Sequence, residues 1–242
     1  MLFALFLAVV AVLAGAVAAL TGFGAGSLLT PALALEAGTK LAVAAVAIPH
    51  FIATAQRFWM LRRYVDRPIL AGFGMASAIG GLAGALLATR FSSRELAFVF
   101  GGLLMLAGLS EFTGWMQRVR WGRRAAWIAG AVSGVLGGMV GNQGGIRTAA
   151  MLGFNVPKES FVATASAIGL FVDGARLPVY LATQWREIAG IWPLVLTASV
   201  GVVVGTAFGT RILGWVPQRI FRRVIAVLLV TLGLYMIAGG GH

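Results

Sequence analysis

Five ionisable residues in this chain stand inside otherwise apolar stretches: His50, Arg57, Arg147, Asp173 and Arg176. Asp173 and Arg176 are three residues apart and share a helical face. Arg176 precedes the next charge, Arg186, by about ten residues, which is roughly 15 Å along a helix. An arginine at such depth in a bilayer costs several kcal/mol unless it pairs or faces water. Two kinds of chemistry fit these residues. Arginines bind oxyanions, and a carboxylate or histidine beside them can carry a proton or compete with a bound anion for the guanidinium. His50 and Arg57 are seven residues apart, about two turns, and also share a face. Each residue has a plainer reading beside this one. Asp173 with Arg176 can be a structural ion pair, His50 a neutral packing residue, and Arg57 a side chain that snorkels to the interface.

Two glycine-rich segments are placed to hold these side chains. The first runs GAVAALTGFGAGSLLTP from Gly15 to Pro31 and the second GVLGGMVGNQGGIRTAA from Gly134 to Ala150. Closely spaced glycines each weaken a helix by about 1 kcal/mol, and a proline removes a backbone donor. A break is therefore expected at Gly22, Gly24 and Gly26, with Pro31 contributing, and again at Gly141, Gly144 and Gly145. Unwound backbone in a bilayer is tolerated only where protein or a wet cavity satisfies it. A helix that restarts there aims free N–H groups and a positive dipole end at the break, which favours an anion. Asn142 and Gln143 offer donors and acceptors for oxygens, and Arg147 adds a full charge. The alternative is that these glycines serve close packing alone.

The elements that carry the breaks are membrane helices. Hydrophobic residues make up 60% of 242 positions and charged ones 11%, so lipid must solvate this surface. Nothing alternates with the period of a barrel strand. The uncharged stretches predict eight helical segments, at 2–21, 40–61, 68–90, 95–114, 124–141, 158–181, 188–212 and 220–238. The first lacks a basic leader region and a convincing cleavage site, so it is expected to be a membrane helix.

The segments group as four plus four. Gly15, Gly22, Gly26 and Arg57 recur as Gly134, Gly141, Gly145 and Arg176 at a constant offset of 119 residues, and Gly80, Gly84 and Arg90 match Gly201, Gly205 and Arg211 with a small drift. Two repeats are expected, 1–116 and 124–242, joined by a basic loop at 117–123 and packed as one membrane domain. Paired interruptions of this kind point to a substrate site between halves. Four crossings per half would make the copies parallel, and a re-entrant piece in each would make them inverted.

The net charge of +12 lies mostly in three clusters: Arg62, Arg63 and Arg67; Arg118, Arg120, Arg123 and Arg124; and Arg219, Arg222 and Arg223. In a membrane chain these set topology and contact anionic lipid, so no nucleic-acid partner is expected. Eight simple crossings with both ends inside put the first two clusters in the cytoplasm and the third outside. Either the third overrides the rule or one broken segment does not cross.

Enzyme chemistry is poorly supplied. There is no cysteine, and His50 is the only histidine besides the terminal His242. No HExxH, GxSxG or nucleotide-binding loop is present, so neither a metal nor a cofactor is expected.

The motifs TGFGAGSLLTPAL with LAVAAVAIP, and GMVGNQGG with VPKESFVATASA, resemble the TauE/SafE family of sulfite exporter-like membrane permeases over the whole chain. The second copy departs from the family pattern in its polar Asn142 and Gln143, its added Arg147 and its lack of a proline matching Pro31. The resemblance implies a multi-pass inner-membrane protein that moves sulfite, sulfonates or related small sulfur-containing anions, usually outward; with no nucleotide site, transport is expected to be driven by an ion or substrate gradient. The expected fold is thus an all-α polytopic membrane protein of two four-helix repeats. Its expected binding residues are Gly22, Gly24, Gly26, Gly141, Asn142, Gln143, Gly144, Gly145, Arg147, Arg176 and Arg57, with Asp173 and His50 as proton carriers. Expected partners are a small anion and membrane lipid, with homo-oligomerisation open. Two other readings remain at this point: a permease for a neutral or cationic solute with structural arginines, and a membrane scaffold that transports nothing.

Overall fold

A computed structural model describes residues 1–21, 25–115, 123–141, 147, 151, 154, 156–213 and 218–239. It is all-helical among these residues. The helices are α1 (Leu2–Thr21), α2 (Ala25–Ala37), α3 (Thr39–Leu61), α4 (Arg67–Ala88), α5 (Ser93–Thr113), α6 (Arg123–Val140), α7 (Lys158–Gly190), α8 (Trp192–Leu213) and α9 (Gln218–Gly239). Six described helices are long and apolar enough to cross a membrane, and two shorter apolar ones run Trp127–Val140 and Arg223–Gly239. The expected all-helical membrane class is met, with six rather than eight described helices long and apolar enough to span.

Local chemistry sets the ends. Asp66 caps α4, its side chain accepting from the Ile69 N–H at 3.0 Å, with Pro68 in the first turn where no donor is needed. Leu70–Gly74 then winds as a π-helical stretch before the regular turns from Met75. Ser92 and Glu95 form a reciprocal capping box at the start of α5. Gly114 closes α5 in the left-handed region, at φ 66°, and Gly38 separates α2 from α3 with φ 74°. Within α7, Gln184 leaves helical geometry, with φ −134° and ψ 18°.

Residues 22–24 of the first glycine segment lie outside the described residues, with α1 described to Thr21 and α2 from Ala25. Pro31 breaks no helix. It lies inside α2, buried, and the helix continues to Ala37. The eight expected segments do not cover 22–39, whereas Ala25–Ala37 is helical; packing supplies what propensity lacks.

Close contacts fix the helix directions. Along α1 and α8, Gly15 meets Val202 and Thr206, Gly201 meets Ala8 and Ala11, and Gly209 meets Ala16, so the two run parallel. Along α4 and α6, Gly72 meets Trp127, Gly134 meets Ser77 and Gly84 meets Val135 and Met139, again parallel. By contrast α3 and α7 are antiparallel: His50 meets Asp173, Thr54 meets Gly169, and the Asp66 N–H just past α3 donates to Thr164 Oγ1 at 2.8 Å. Helices α5 and α9 are antiparallel too, Gly101 meeting Gly233 and Gly108 meeting Ala226.

These directions have a consequence for α2. Helix α8 starts where α7 ends and crosses back, so it runs with α3, and α1, parallel to α8, also runs with α3. The chain between α1 and α3 must therefore return, and α2 is that return. At one end of the bundle Lys40 donates from its N–H to Ser93 Oγ at 3.2 Å and from Nζ to the Thr89 carbonyl at 2.9 Å. The other end holds the starts of α4, α7 and α9 and the described residues flanking 116–122.

Candidate functional site

Helix α3 presents His50, Thr54 and Arg57 on one face, at spacings of four and three. Helix α7 presents Gly169, Asp173, Arg176 and Tyr180 in the same way. Antiparallel packing lays these faces together midway along α3, and the five ionisable residues all end up in the interior. Relative exposure is 7% for His50, 6% for Arg57, 5% for Arg147, 0% for Asp173 and 1% for Arg176.

Asp173 is the hub. Its Oδ1 accepts from Arg176 Nε at 2.9 Å and lies 2.9 Å from Arg176 Nη2, and its Oδ2 lies 2.6 Å from His50 Nδ1. Both carboxylate oxygens are thus engaged by nitrogen, as a buried carboxylate requires. Thr54 Oγ1 lies 3.5 Å from the same His50 nitrogen and accepts from Arg57 Nη2 at 3.3 Å. Arg57 is close enough to Asp173 to interact electrostatically, and Arg147 is close enough to both. Tyr180 sits a turn beyond Arg176 and donates its hydroxyl to the Gly138 carbonyl near the end of α6.

The two glycine segments meet at this cluster. Gly141 ends α6 in the left-handed region, at φ 74°, where only glycine fits without strain. A Cβ there would lie 3.0 Å from Arg176 Nη1. A Cβ on Gly26 would lie 2.7 Å from the Gly141 carbonyl O and 3.6 Å from His50 Cδ2. One on Gly169 would lie 3.1 Å from Arg147 Nη1 and 3.2 Å from the Thr54 methyl. Missing side chains at these three positions let guanidinium groups and backbone approach closely. The interrupted segments, one from each half of the chain, touch each other beside the histidine.

The structure therefore brings together Gly26, His50, Arg57, Gly141, Arg147, Asp173 and Arg176. Gly22, Gly24, Asn142, Gln143, Gly144 and Gly145 lie outside the described residues. Sequence reasoning missed Thr54, Gly169 and Tyr180 as parts of the cluster. The spacing of Thr54 from His50 and Arg57 was the available signal.

The charge balance is the distinctive chemical property. Three buried guanidinium groups face one buried carboxylate. Arg57 Nε and Nη1 and Arg176 Nη1 are buried with no hydrogen-bond partner among the described residues. Buried polar groups are ordinarily satisfied, and a buried unpaired charge is expensive. Such an arrangement is suited to an anion with several acceptor oxygens.

An apolar groove of about 660 Å³ opens elsewhere, between α1, α2 and α9, lined by residues such as Phe6, Leu13, Pro31 and Leu228. None of the candidate residues lines it, and its walls suit lipid chains rather than a charged solute.

A family model described as Sulfite exporter TauE/SafE matches residues 7–236. No curated protein and no solved structure matches the chain.

Proposed function

This chain belongs to the sulfite exporter TauE/SafE family, and on that footing we propose that it carries a small sulfur-containing oxyanion outward across the inner membrane through the cluster of Arg57, Arg147 and Arg176. As a member it is a membrane transporter of sulfite-like anions rather than an enzyme. The observation that carries the site assignment is the excess of three buried arginines over one buried carboxylate.

In this reading the arginines hold the anion. Gly26 and Gly141, with Gly22, Gly24, Gly144 and Gly145, shape its surroundings, while Asn142 and Gln143 orient its oxygens. His50 and Asp173 carry the coupling proton. Asp173 and an arriving anion compete for the guanidinium of Arg176, so binding and protonation are linked through one side chain. The fold contributes a second support. Equivalent helices of the two halves, α3 with α7 and α5 with α9, run antiparallel, whereas α1 pairs with α8 and α4 with α6 in crosswise fashion. That pattern is what an in-plane two-fold axis gives, and we read the halves as inverted copies whose relative rocking exposes the site alternately to each side.

The test is counterflow or efflux of labelled sulfite from proteoliposomes. Uptake saturable by unlabelled sulfite is expected in the wild-type protein, and Arg57→Gln, which breaks no carboxylate pair, should reduce it at least tenfold with the protein still monodisperse. Saturable movement of an amino acid or metal cation with no sulfite flux would overturn the reading.

A further inference from the structure

We propose that the site is matched to a dianion and discriminates against a monoanion of the same shape. This rests on the anion-transport reading and narrows the chemical class of its substrate.

The chain has 7 acidic residues in all, and every one is among the described residues. Glu36, Glu95, Glu159 and Glu187 are exposed and Asp66 and Glu111 half-buried, which leaves Asp173 as the only buried carboxylate. Arg57, Arg147 and Arg176 surround it from α3, from the second interrupted segment and from α7. Arginine does not lose its proton in proteins. Three fixed positive charges against one negative leave the cluster at +2 with His50 neutral, and higher when His50 is protonated. A dianion cancels this charge; a monoanion leaves at least one uncompensated cation in the protein interior, where it is costly.

Charge alone would not favour a dianion, because its hydration is also harder to remove. The geometry supplies replacement donors. Asp173 engages Nε and Nη2 of Arg176, and Thr54 accepts from Nη2 of Arg57, so the N–H groups with no partner among the described residues include Arg176 Nη1 and Arg57 Nε and Nη1. These groups are already oriented by their neighbours. They are charged donors of the kind that bind the oxygens of a tetrahedral anion. Gly26, Gly141 and Gly169 lack the side chains that would crowd these groups, a Cβ at Gly141 lying 3.0 Å from Arg176 Nη1.

Sulfate and methanesulfonate separate charge from shape. Each is a tetrahedral sulfur oxyanion, one carrying a methyl group where the other has an oxygen, and neither titrates near neutral pH. Binding to the purified full-length protein, at constant ionic strength and read by competition against labelled sulfate, is expected to be at least about tenfold tighter for sulfate. In Arg57→Gln, and independently in Arg147→Gln, the cluster falls by one charge and the preference should shrink severalfold or reverse. Equal or tighter binding of methanesulfonate to the wild-type protein overturns the dianion match and leaves anion transport standing. A sulfate preference that survives undiminished in both folded variants also overturns it. Binding of neither anion overturns the anion site itself.

Discussion

Asp173 holds the cluster together because it is the only negative charge available to the buried cations. Its replacement by alanine strands Arg176 and removes the partner of His50, and breaking a buried pair in this way costs about 3–5 kcal/mol. Asp173→Ala is therefore expected to lower the unfolding temperature in detergent markedly, while the isosteric Asp173→Asn, which still accepts from Arg176, should stay folded. On the proton-carrier reading Asp173→Asn retains anion binding but loses the stimulation of flux by a pH gradient, which vesicle assays at matched and unmatched pH would show. The pairing of Asp173 with Arg176 is legible in the sequence, since three residues apart on a helix means one face. The contact of Asp173 with His50 is not. Those residues are 123 positions apart, and nothing local in either segment names the other. Arg57 was ambiguous for a similar reason. Its place near the end of a segment fits a snorkelling side chain, and only the covering of that end by α7 and its neighbours leaves it buried at 6%.

Helix pairs in this protein are built by glycine. A Cβ on Gly138 would drive into the carbonyl of Gly81, and one on Gly205 into that of Val12, so the α4–α6 and α1–α8 backbones touch. In lipid no hydrophobic effect presses helices together, and such close approach supplies the dispersion contacts that hold them. Gly138→Val should force the pair apart at a cost of several kcal/mol, with folded yield falling on size-exclusion chromatography. Gly102→Ala is the control. No atom lies within 4 Å of where its Cβ would be, and alanine is the better helix former, so stability should hold or rise by about 1 kcal/mol. The small-residue faces of Gly80 with Gly84 and of Gly201 with Gly205 are readable from spacing. Their partners are not, because any small face accepts any other. Helix α2 was unreadable for a different reason: its glycines and proline argue locally for a break, and burial of Leu28, Leu29 and Leu33 outweighs them.

For the molecule as a whole, the directions of α6 and α7 remove the conflict over charge. Because both run against α3, the start of α4 and the start of α9 lie at one end of the bundle, and Thr113 and Arg123, flanking the second basic cluster, lie there too. The described residues flanking each basic cluster then lie at one end of the bundle, which is the end expected to be cytoplasmic by the positive-inside rule. The chain has no cysteine, so single cysteines report sidedness directly. Tyr64→Cys, just after α3, should be shielded from an impermeant maleimide added outside cells, and Gly190→Cys, at the far end of α7, should be labelled; labelling of both from one side would refute the layout. The sequence by itself determined the class of molecule, the small-residue faces and the residue types able to bind an anion, because composition and short spacings act within one segment. Only the tertiary structure decided which interrupted segments touch, which histidine meets which carboxylate, and which way α2 runs. Those depend on packing between helices more than a hundred residues apart, where shape and buried charge must be satisfied together.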